Sequence, residues 1–203
     1  MKIICIGRNY AEHVKELHNE VPEEPVIFMK PKNALLMPEK PLYYPEFTDD
    51  LQYEAEVVVK INKNGKYINE RYARKYYNEV SIGIDFTARD LQKHLKAKGL
   101  PWEISKAFDG SAAVGNFITL TPESKLDNMN FELWQNGNIV QHGNTKNMMF
   151  SIDKIIEHVS QYFTINIGDL IFTGTPAGVG PVNVYDILQG YLLGQKLLEV
   201  EIR

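Results

Sequence analysis

The sequence predicts an α+β fold that is dominated by strands and carries few helices. Three observations lead there. Apolar residues fall in short runs bounded by Gly, Pro or Asn, the pattern of strands. Asn136-Gly137 sits between two such runs and marks a hairpin turn. Helical periodicity is confined to a few segments that do not alternate regularly with strands, which argues against a doubly wound α/β sheet. At 203 residues the chain reads as a single domain, residues 1–203. That length suffices to bury about 70% of the unfolded surface.

Lys2 to Ile6 is a buried first strand that runs through Gly7-Arg8-Asn9-Tyr10 into a short helix, about Tyr10 to His18. Asn9 and Glu12, three apart, suggest its cap, with Val14 and Leu17 facing inward. Residues 21–45 are proline-rich and predict extended connections around a strand from Val26 to Met29. Strands follow at Leu51 to Ile61 and Val80 to Ile84, on either side of a polar helix from Ile68 to Asn78. Thr87 and Asp90 read as a capping box for a helix that runs to Lys98, stopped by Gly99 and Pro101. Beyond Phe108 strands predominate, at Phe117 to Leu120, Phe131 to Gln135 and Ile139 to Gln141. Ser151 opens a helix with Ile152, Ile155, Ile156, Val159 and Phe163 on its buried face. Asp169 to Thr173 and Leu197 to Ile202 close the chain as strands.

Composition excludes several classes. With 44% hydrophobic residues, 24% charged residues and a formal net charge of −4, the chain is ordinary for a globular protein. Its basic residues are scattered, and Lys93 to Lys98 alternate with leucine and histidine as on a solvated helix, so no nucleic-acid partner is expected. One cysteine, Cys5, precludes an internal disulfide and a thiolate metal cluster, and its apolar strand makes it a small hydrophobe. The apolar run before Gly7-Arg8 is too short for a signal peptide, and no stretch approaches the ~20 residues of a membrane span. The expectation is a cytoplasmic protein with no membrane partner.

Glu54 and Glu56 carry the chemistry. Side chains two apart on a strand project from one face. Leu51, Tyr53, Ala55, Val57 and Val59 therefore form an apolar face, with both glutamates on the other. Two carboxylates about 4 Å apart repel by roughly 4 kcal/mol in partly shielded surroundings. A solvated edge tolerates that, whereas a cleft needs a cation. Asp85, at the end of the next strand, offers a third oxygen ligand. His13 and Glu16, three apart on the first helix, share a face; alone they read as a surface pair. Lys106, between apolar neighbours, reads equally well as a snorkelling structural lysine. Thr173 to Gly180 is glycine-rich but lacks the Gly-Lys-Ser/Thr ending of a phosphate loop, and Pro176 removes a backbone donor from its middle.

The motifs occur in a telling order: Gly7-Arg8-Asn9-Tyr10 with His13 and Glu16; Phe28-Met29-Lys30-Pro31; Glu54-Ala55-Glu56; Asp85-Phe86-Thr87-Ala88-Arg89-Asp90 with Gln92; Trp102; Lys106 with Phe108-Asp109; Asn136-Gly137; and Thr173-Gly174-Thr175-Pro176-Ala177-Gly178-Val179-Gly180. Over residues 3–202 this order and spacing resemble the fumarylacetoacetate hydrolase family, in particular its short single-domain acylpyruvate hydrolase branch. The resemblance implies a mixed β-sandwich or β-roll and a homodimer. It makes Glu54, Glu56 and Asp85 ligands of a divalent cation. Three hard oxygen anions suit Mg²⁺, or Mn²⁺. It makes His13 and Glu16 a dyad that activates water, with Lys106 at the metal centre and Gln92 adding a neutral hydrogen bond. Imidazole suits that role because it titrates nearest to neutral pH. Arg8 and Tyr10 become substrate contacts at the entrance, and Thr175 lies against the substrate carboxylate. The remaining histidines, His18, His94, His142 and His158, match no site of the family and are expected to be solvated. Gly110 to Gly115 depart from the proline-containing stretch of many relatives, which bears on the adjoining pocket wall.

The activity implied is hydrolysis of a carbon–carbon bond in acylpyruvates, small 2-oxo acids, giving pyruvate and a carboxylic acid through a pyruvate enolate that the cation stabilises. Loss of CO₂ from oxaloacetate yields the same enolate without water, and related enzymes isomerise or tautomerise oxo and dienoic diacids. A non-catalytic module that binds 2-oxo acids is the rival from another class; a base and its orienting partner argue against it.

Overall fold

Strands outweigh helices in the structure, a computed structural model that describes residues 1–17, 20–121 and 124–203. β1 (Ile3–Gly7), helix α1 (Ala11–Glu16) and β2 (Val26–Lys30) open the chain. The strand expected over Leu51 to Ile61 is broken at Glu54 into β3 (Leu51–Tyr53) and β4 (Ala55–Ile61). The helix expected from Ile68 to Asn78 is much shorter, α2 (Glu70–Ala73) and a 3₁₀ turn, Arg74–Tyr76. Tyr77 and Val80 are core residues, so the chain is already in strand β5 (Tyr77–Asp85). β6 (Thr87–Ala88), α3 (Arg89–Ala97), α4 (Glu103–Lys106), β7 (Ala112–Val114) and β8 (Ile118–Thr119) follow. β9 (Asn130–Gln135) and β10 (Asn138–Asn144) form the expected hairpin. Asn136 and Gly137 have φ of 53° and 81°, both left-handed as the tight turn requires. α5 (Ile152–Tyr162), β11 (Leu170–Phe172), β12 (Gly180–Pro181), β13 (Ile187–Leu192) and β14 (Gln195–Glu201) complete the chain.

Among the described residues the strands form three sheets. The largest runs β2-β1-β11-β4-β5-β7, with β8 also on β5; β1 and β11 pair in parallel and the other pairs are antiparallel. A second sheet runs β10-β9-β13-β14, and β12-β3-β6 make a small third. Val57, Val59, Ile82 and Ile84 of the large sheet share one core with Phe131, Leu133, Leu188 and Val200 of the second. Ile152, Ile155, Ile156 and Val159 of α5 join it, each worth roughly 1.5–3 kcal/mol of burial. The opposite face of the large sheet is buried too, through Cys5, Val58, Ala112 and Phe172. No described helix is long and apolar enough to cross a membrane.

Two expected caps are not formed. Asn9 does not cap α1: its amide donates to Phe150 O and Thr173 O, at 3.0 and 2.8 Å, and its Oδ1 accepts from Phe150 N–H. Nor do Thr87 and Asp90 form a capping box. Ala88 precedes α3 without a side-chain cap, while Asp90 accepts from Thr48 Oγ1 and Asp49 N–H. Tertiary partners have drawn these side chains away from local roles. Ser151 does cap α5, accepting from Lys154 N–H. Phe163 lies beyond α5 and is 37% exposed, so it is not part of its buried face. His158 is buried against Tyr162 rather than solvated, whereas His94 and His142 are exposed. His18 lies outside the described residues.

Candidate metal centre and substrate cleft

The break at Glu54 and the end of β5 create the site. Asp85 N–H donates to Glu54 O at 2.9 Å, so these residues face each other where the β4–β5 ladder ends. Glu56 shares its face of β4 with Val58, on the side away from Val57 and Val59. On its other flank the chain leaves β11, where Gly174 N–H donates to Glu56 Oε2 at 2.7 Å. Gly174 has φ of 101°, and a Cβ there would stand 2.7 Å from the Asn9 side chain, so this position requires glycine. Oxygens of Glu54, Glu56 and Asp85 all lie within 4.8 Å of one another, and the three residues are buried.

Three cations pack against these carboxylates. Lys106 Nζ donates to Glu54 Oε2 (2.7 Å), Asp85 Oδ2 (2.8 Å) and Thr87 Oγ1 (2.6 Å). It is 3% exposed, so it does not snorkel. Arg89 donates to Glu54 Oε1 at 2.5 Å and Gln52 Oε1 at 2.8 Å. Lys30 Nζ lies 2.7 Å from Asp85 Oδ1, but the contact is not aligned as a hydrogen bond. Its protons go instead to Lys106 O, Ser111 O and Ser111 Oγ. Burial opposes the charge of Glu54, yet Lys106 and Arg89 hold its carboxyl well below the usual range. Glu56 has no such pair. Burial first, then Asp85 and Glu54, push it well above the usual carboxylate range. Burial also opposes the Lys106 charge, but Asp85 and Glu54 raise its pKa above the ordinary value, so it remains an ammonium.

Donor chemistry and electrostatics both fit a divalent cation. The donors are hard carboxylate oxygens, and Glu56 is short of positive charge. One expected ligand set is thus assembled in one place.

The other expected residues are distributed around it. His13 Nδ1 and Glu16 Oε2 are 3.0 Å apart, which directs His13 Nε2 elsewhere. His13 is 5% exposed. Glu16 Oε1 also accepts from Gly178 N–H at 3.0 Å, so the pair is tied to the glycine-rich loop and is more than a surface contact. Arg8 and Thr175 line a small cleft, about 30 Å³, together with Glu54, Glu56, Lys106 and Lys96. Tyr10 is not at an entrance. It is 3% exposed, its ring packs edge-on against Phe131, and its hydroxyl has no partner. Gln92 does not reach the carboxylates; its Oε1 accepts from Arg89 at 2.7 Å and so positions that guanidinium. Size does not locate the site. A larger cavity, about 970 Å³, lies between Leu36, Tyr43 and the β14 strand, away from the carboxylates.

Four residues at the site carried no individual assignment in the sequence. Lys30 and Arg89 stood inside the quoted motifs, and a lysine in an apolar strand was the available signal for the first. Gln141 gave no signal. It accepts from Ala55 N–H at 2.8 Å and donates to Thr175 Oγ1 and Pro176 O, at 3.0 and 3.1 Å, fastening the loop to β4. Lys96 looked like part of a solvated helix, yet it lines the cleft.

Comparison with known proteins places these features in context. Residues 2–202 match the family model described as fumarylacetoacetate (FAA) hydrolase C-terminal. The bovine protein named oxaloacetate tautomerase FAHD1, mitochondrial, is 42% identical over 195 residues, covering 95% of this chain and 87% of its own length. A Dictyostelium discoideum protein named oxaloacetate decarboxylase, mitochondrial, is 40% identical over 197 residues, covering 95% of this chain and 89% of its own. The crystal structure of fumarylpyruvate hydrolase from Pseudomonas aeruginosa, in complex with Mn²⁺ and pyruvate, superposes with a TM-score of 0.92 at 32% identity. That likeness covers 100% of this chain and 89% of the other.

Proposed function

The chain belongs to the fumarylacetoacetate hydrolase family, and from that premise we propose that it is a divalent-cation-dependent enzyme that tautomerises oxaloacetate-like 2-oxo acids between enol and keto forms, or decarboxylates the keto form to an enolate. One observation carries the reading: three buried carboxylates converge within 4.8 Å, and one of them, Glu56, lacks a cationic partner. Relatives named for oxaloacetate chemistry support this reading over acylpyruvate hydrolysis.

Glu54, Glu56 and Asp85 would hold Mg²⁺ or Mn²⁺, which supplies Lewis-acid stabilisation of an enolate oxygen. The protein's own groups do the rest. Lys106 stays protonated beside Glu54 and Asp85, a fixed positive charge that favours negative charge developing on substrate oxygens. Glu16, accepting from His13 Nδ1, sets the tautomer that leaves Nε2 free to take up or return a proton. In tautomerisation His13 Nε2 removes the enol O–H proton and a proton is delivered to C3. In decarboxylation the C3–carboxylate bond breaks, CO₂ leaves, and a proton from solvent goes to C3 of the pyruvate enolate. Thr175, held by Gln141, offers a hydroxyl toward the substrate carboxylate.

Acylpyruvate hydrolysis is the second reading. The buried His13–Glu16 pair favours it, because only hydrolysis must activate water, and so does the likeness to the fumarylpyruvate hydrolase structure. The two are separated by following enol and keto oxaloacetate, acetylpyruvate and pyruvate by NMR with Mg²⁺ or Mn²⁺ present. Acceleration of enol–keto exchange or CO₂ loss supports the main reading. Turnover confined to acetylpyruvate would replace it with hydrolysis, and no turnover of either would reject both. A homodimer completes the proposal, supported by the resemblance and by exposed apolar side chains such as Met37, Tyr43 and Ile187 bordering the large cavity. A monomeric mass in light scattering would contradict the dimer.

A further inference from the structure

Besides the carboxylates the cleft is lined by two cations, Arg8 and Lys96, that form no ion pair among the described residues. Helix α3 carries Arg89, Gln92 and Lys96 at spacings of three and four, so the three share a face. Arg89 and Gln92 are consumed by Glu54 and by each other. Lys96 stands about 6 Å further along the helix than Gln92 and lines the cleft with Arg8. Among the described residues neither is ion-paired with a carboxylate.

Both show signs of an unmet partner. Arg8 is held at φ of 61°, a left-handed conformation that costs a side-chain-bearing residue roughly 1–2 kcal/mol. Its Nε is buried with no hydrogen-bond partner among the described residues. Lys96 Nζ lies 5.2 Å from the centre of the Trp102 ring. Burial, then the positive charges of Arg8, Arg89 and Lys106, lower its pKa to about 8, with Glu54 acting the other way. An ammonium so placed gains from any anion that reaches it. Leu17, Phe28 and Trp102 add apolar surface to the cleft wall.

Charge at the centre points the same way. Glu54, Glu56 and Asp85 are matched in number by Lys30, Arg89 and Lys106. A divalent cation on the carboxylates therefore leaves an excess of two positive charges, before Lys96 and Arg8 are included. A 2-oxo acid with an alkyl tail brings one negative charge and lays hydrocarbon against two cations. A dicarboxylic 2-oxo acid brings two, and Lys96 and Arg8 line the same cleft as the carboxylate cluster.

We propose that Lys96, assisted by Arg8, is a specificity-determining residue that receives the second carboxylate of a dicarboxylic 2-oxo acid. This rests on the reading of the carboxylate cluster as a 2-oxo acid site. The test is calorimetric titration of the Mn²⁺-loaded protein with 2-oxoglutarate and 2-oxobutyrate, which share the 2-oxo acid end and differ by a terminal carboxylate. The wild-type protein should bind 2-oxoglutarate about 10- to 100-fold more tightly, the worth of one hydrogen bond to a charged group. Lys96→Gln should bring the ratio of the two affinities toward one, while Lys96→Arg should preserve it. Lys93→Gln, an exposed lysine on the same helix, controls for long-range charge and should preserve it too. Equal affinities in the wild-type protein, or an unchanged ratio in Lys96→Gln, would overturn the assignment and leave the 2-oxo acid site standing. Tighter binding of 2-oxobutyrate would also overturn it, pointing to the apolar groove of Val26, Leu100 and Trp102 as the tail pocket. If neither compound binds the wild-type protein, the 2-oxo acid reading falls and this assignment falls with it.

Discussion

Replacing Lys30 by Met tests whether the buried cations hold the site together. The thioether preserves most of the stem volume and removes only the charge and its donors. Lys30 and Asp85 are both 0% exposed at their side chains, so solvent cannot replace what is lost. Breaking a buried ion pair from one side costs about 3–5 kcal/mol. The lower end applies here, because Asp85 keeps Lys106 at 2.8 Å. Ser111 O loses the ammonium donor at 2.9 Å, adding about 1–3 kcal/mol. Lys106 O adds little, since Ser111 Oγ still donates to it. The expected loss is about 4 kcal/mol, or about 8–16 °C in melting temperature for a chain of this size. Urea unfolding followed by tryptophan fluorescence, with EDTA and again with Mn²⁺, measures it. The deficit should shrink in Mn²⁺, because the ion supplies Asp85 with the positive charge that Lys30 gave. A loss under 1 kcal/mol in EDTA, or a deficit that grows with Mn²⁺, would refute this account of the cluster.

Further outcomes follow from the same geometry. His13→Ala and Glu16→Gln should slow acylpyruvate hydrolysis by roughly 10²–10⁴-fold, the usual reach of general-base catalysis, while decarboxylation of keto oxaloacetate survives far better; equal losses in a pyruvate-release assay would mean that the pair serves both reactions. EDTA should abolish every activity, with Mg²⁺ or Mn²⁺ restoring it and Zn²⁺ doing so less well for want of a nitrogen or sulfur ligand; turnover by metal-free protein would contradict the ligand set. Lys96 faces Arg8, Arg89 and Lys106 as well as Glu54 and titrates near 8, so it is charged below that pH and neutral above it. The preference for dicarboxylic over monocarboxylic 2-oxo acids should therefore decline as pH rises from 7 to 9, and a flat affinity ratio across that range would count against Lys96. Gly174→Ala should weaken Mn²⁺ binding measured by calorimetry, because the φ of 101° and the Asn9 contact both resist a Cβ and displace the N–H that orients Glu56; unchanged affinity would free Glu56 from that backbone contact.

What the sequence made legible followed from local rules, and what it hid depended on partners distant in the chain. The apolar alternation through Leu51, Tyr53, Ala55, Val57 and Val59 is a property of the strand itself, and all five residues lie in one core. Asn136-Gly137 and Ser151 likewise act through their own backbone neighbourhood. The β13–β14 hairpin escaped notice because its turn uses Leu193 at φ of 51° before Gly194, and leucine is not a turn signal. Thr87 and Asp90 have the spacing of a capping box, yet Thr87 Oγ1 lies 2.6 Å from Lys106 and Asp90 is held by Thr48. A capping hydrogen bond is worth about 1 kcal/mol, and a hydroxyl that completes the shell of a buried ammonium has more at stake, since an unmet donor there costs about 1–3 kcal/mol or more.

The same asymmetry separates the carboxylates from the cations of the site. Glu54 and Glu56 announce themselves because two acids on one strand face need an explanation within five residues of sequence. Lys30 and Arg89 do not, because a buried cation and a solvated one are identical in sequence until the residues around them are known. Lys96 and Lys93 sit on one short helix of alternating polar residues, yet Lys93 is exposed beside Asp50 while Lys96 lines the cleft and forms no ion pair among the described residues. Three residues of spacing make them neighbours on the helix surface, and only the packing of α3 against the Glu54 strand break determines which of the two meets the cleft. The acidic pair is thus readable from a strand pattern and its proposed role as a cation site from the family resemblance, whereas the cations that surround it become visible only when the fold shows what each of them faces.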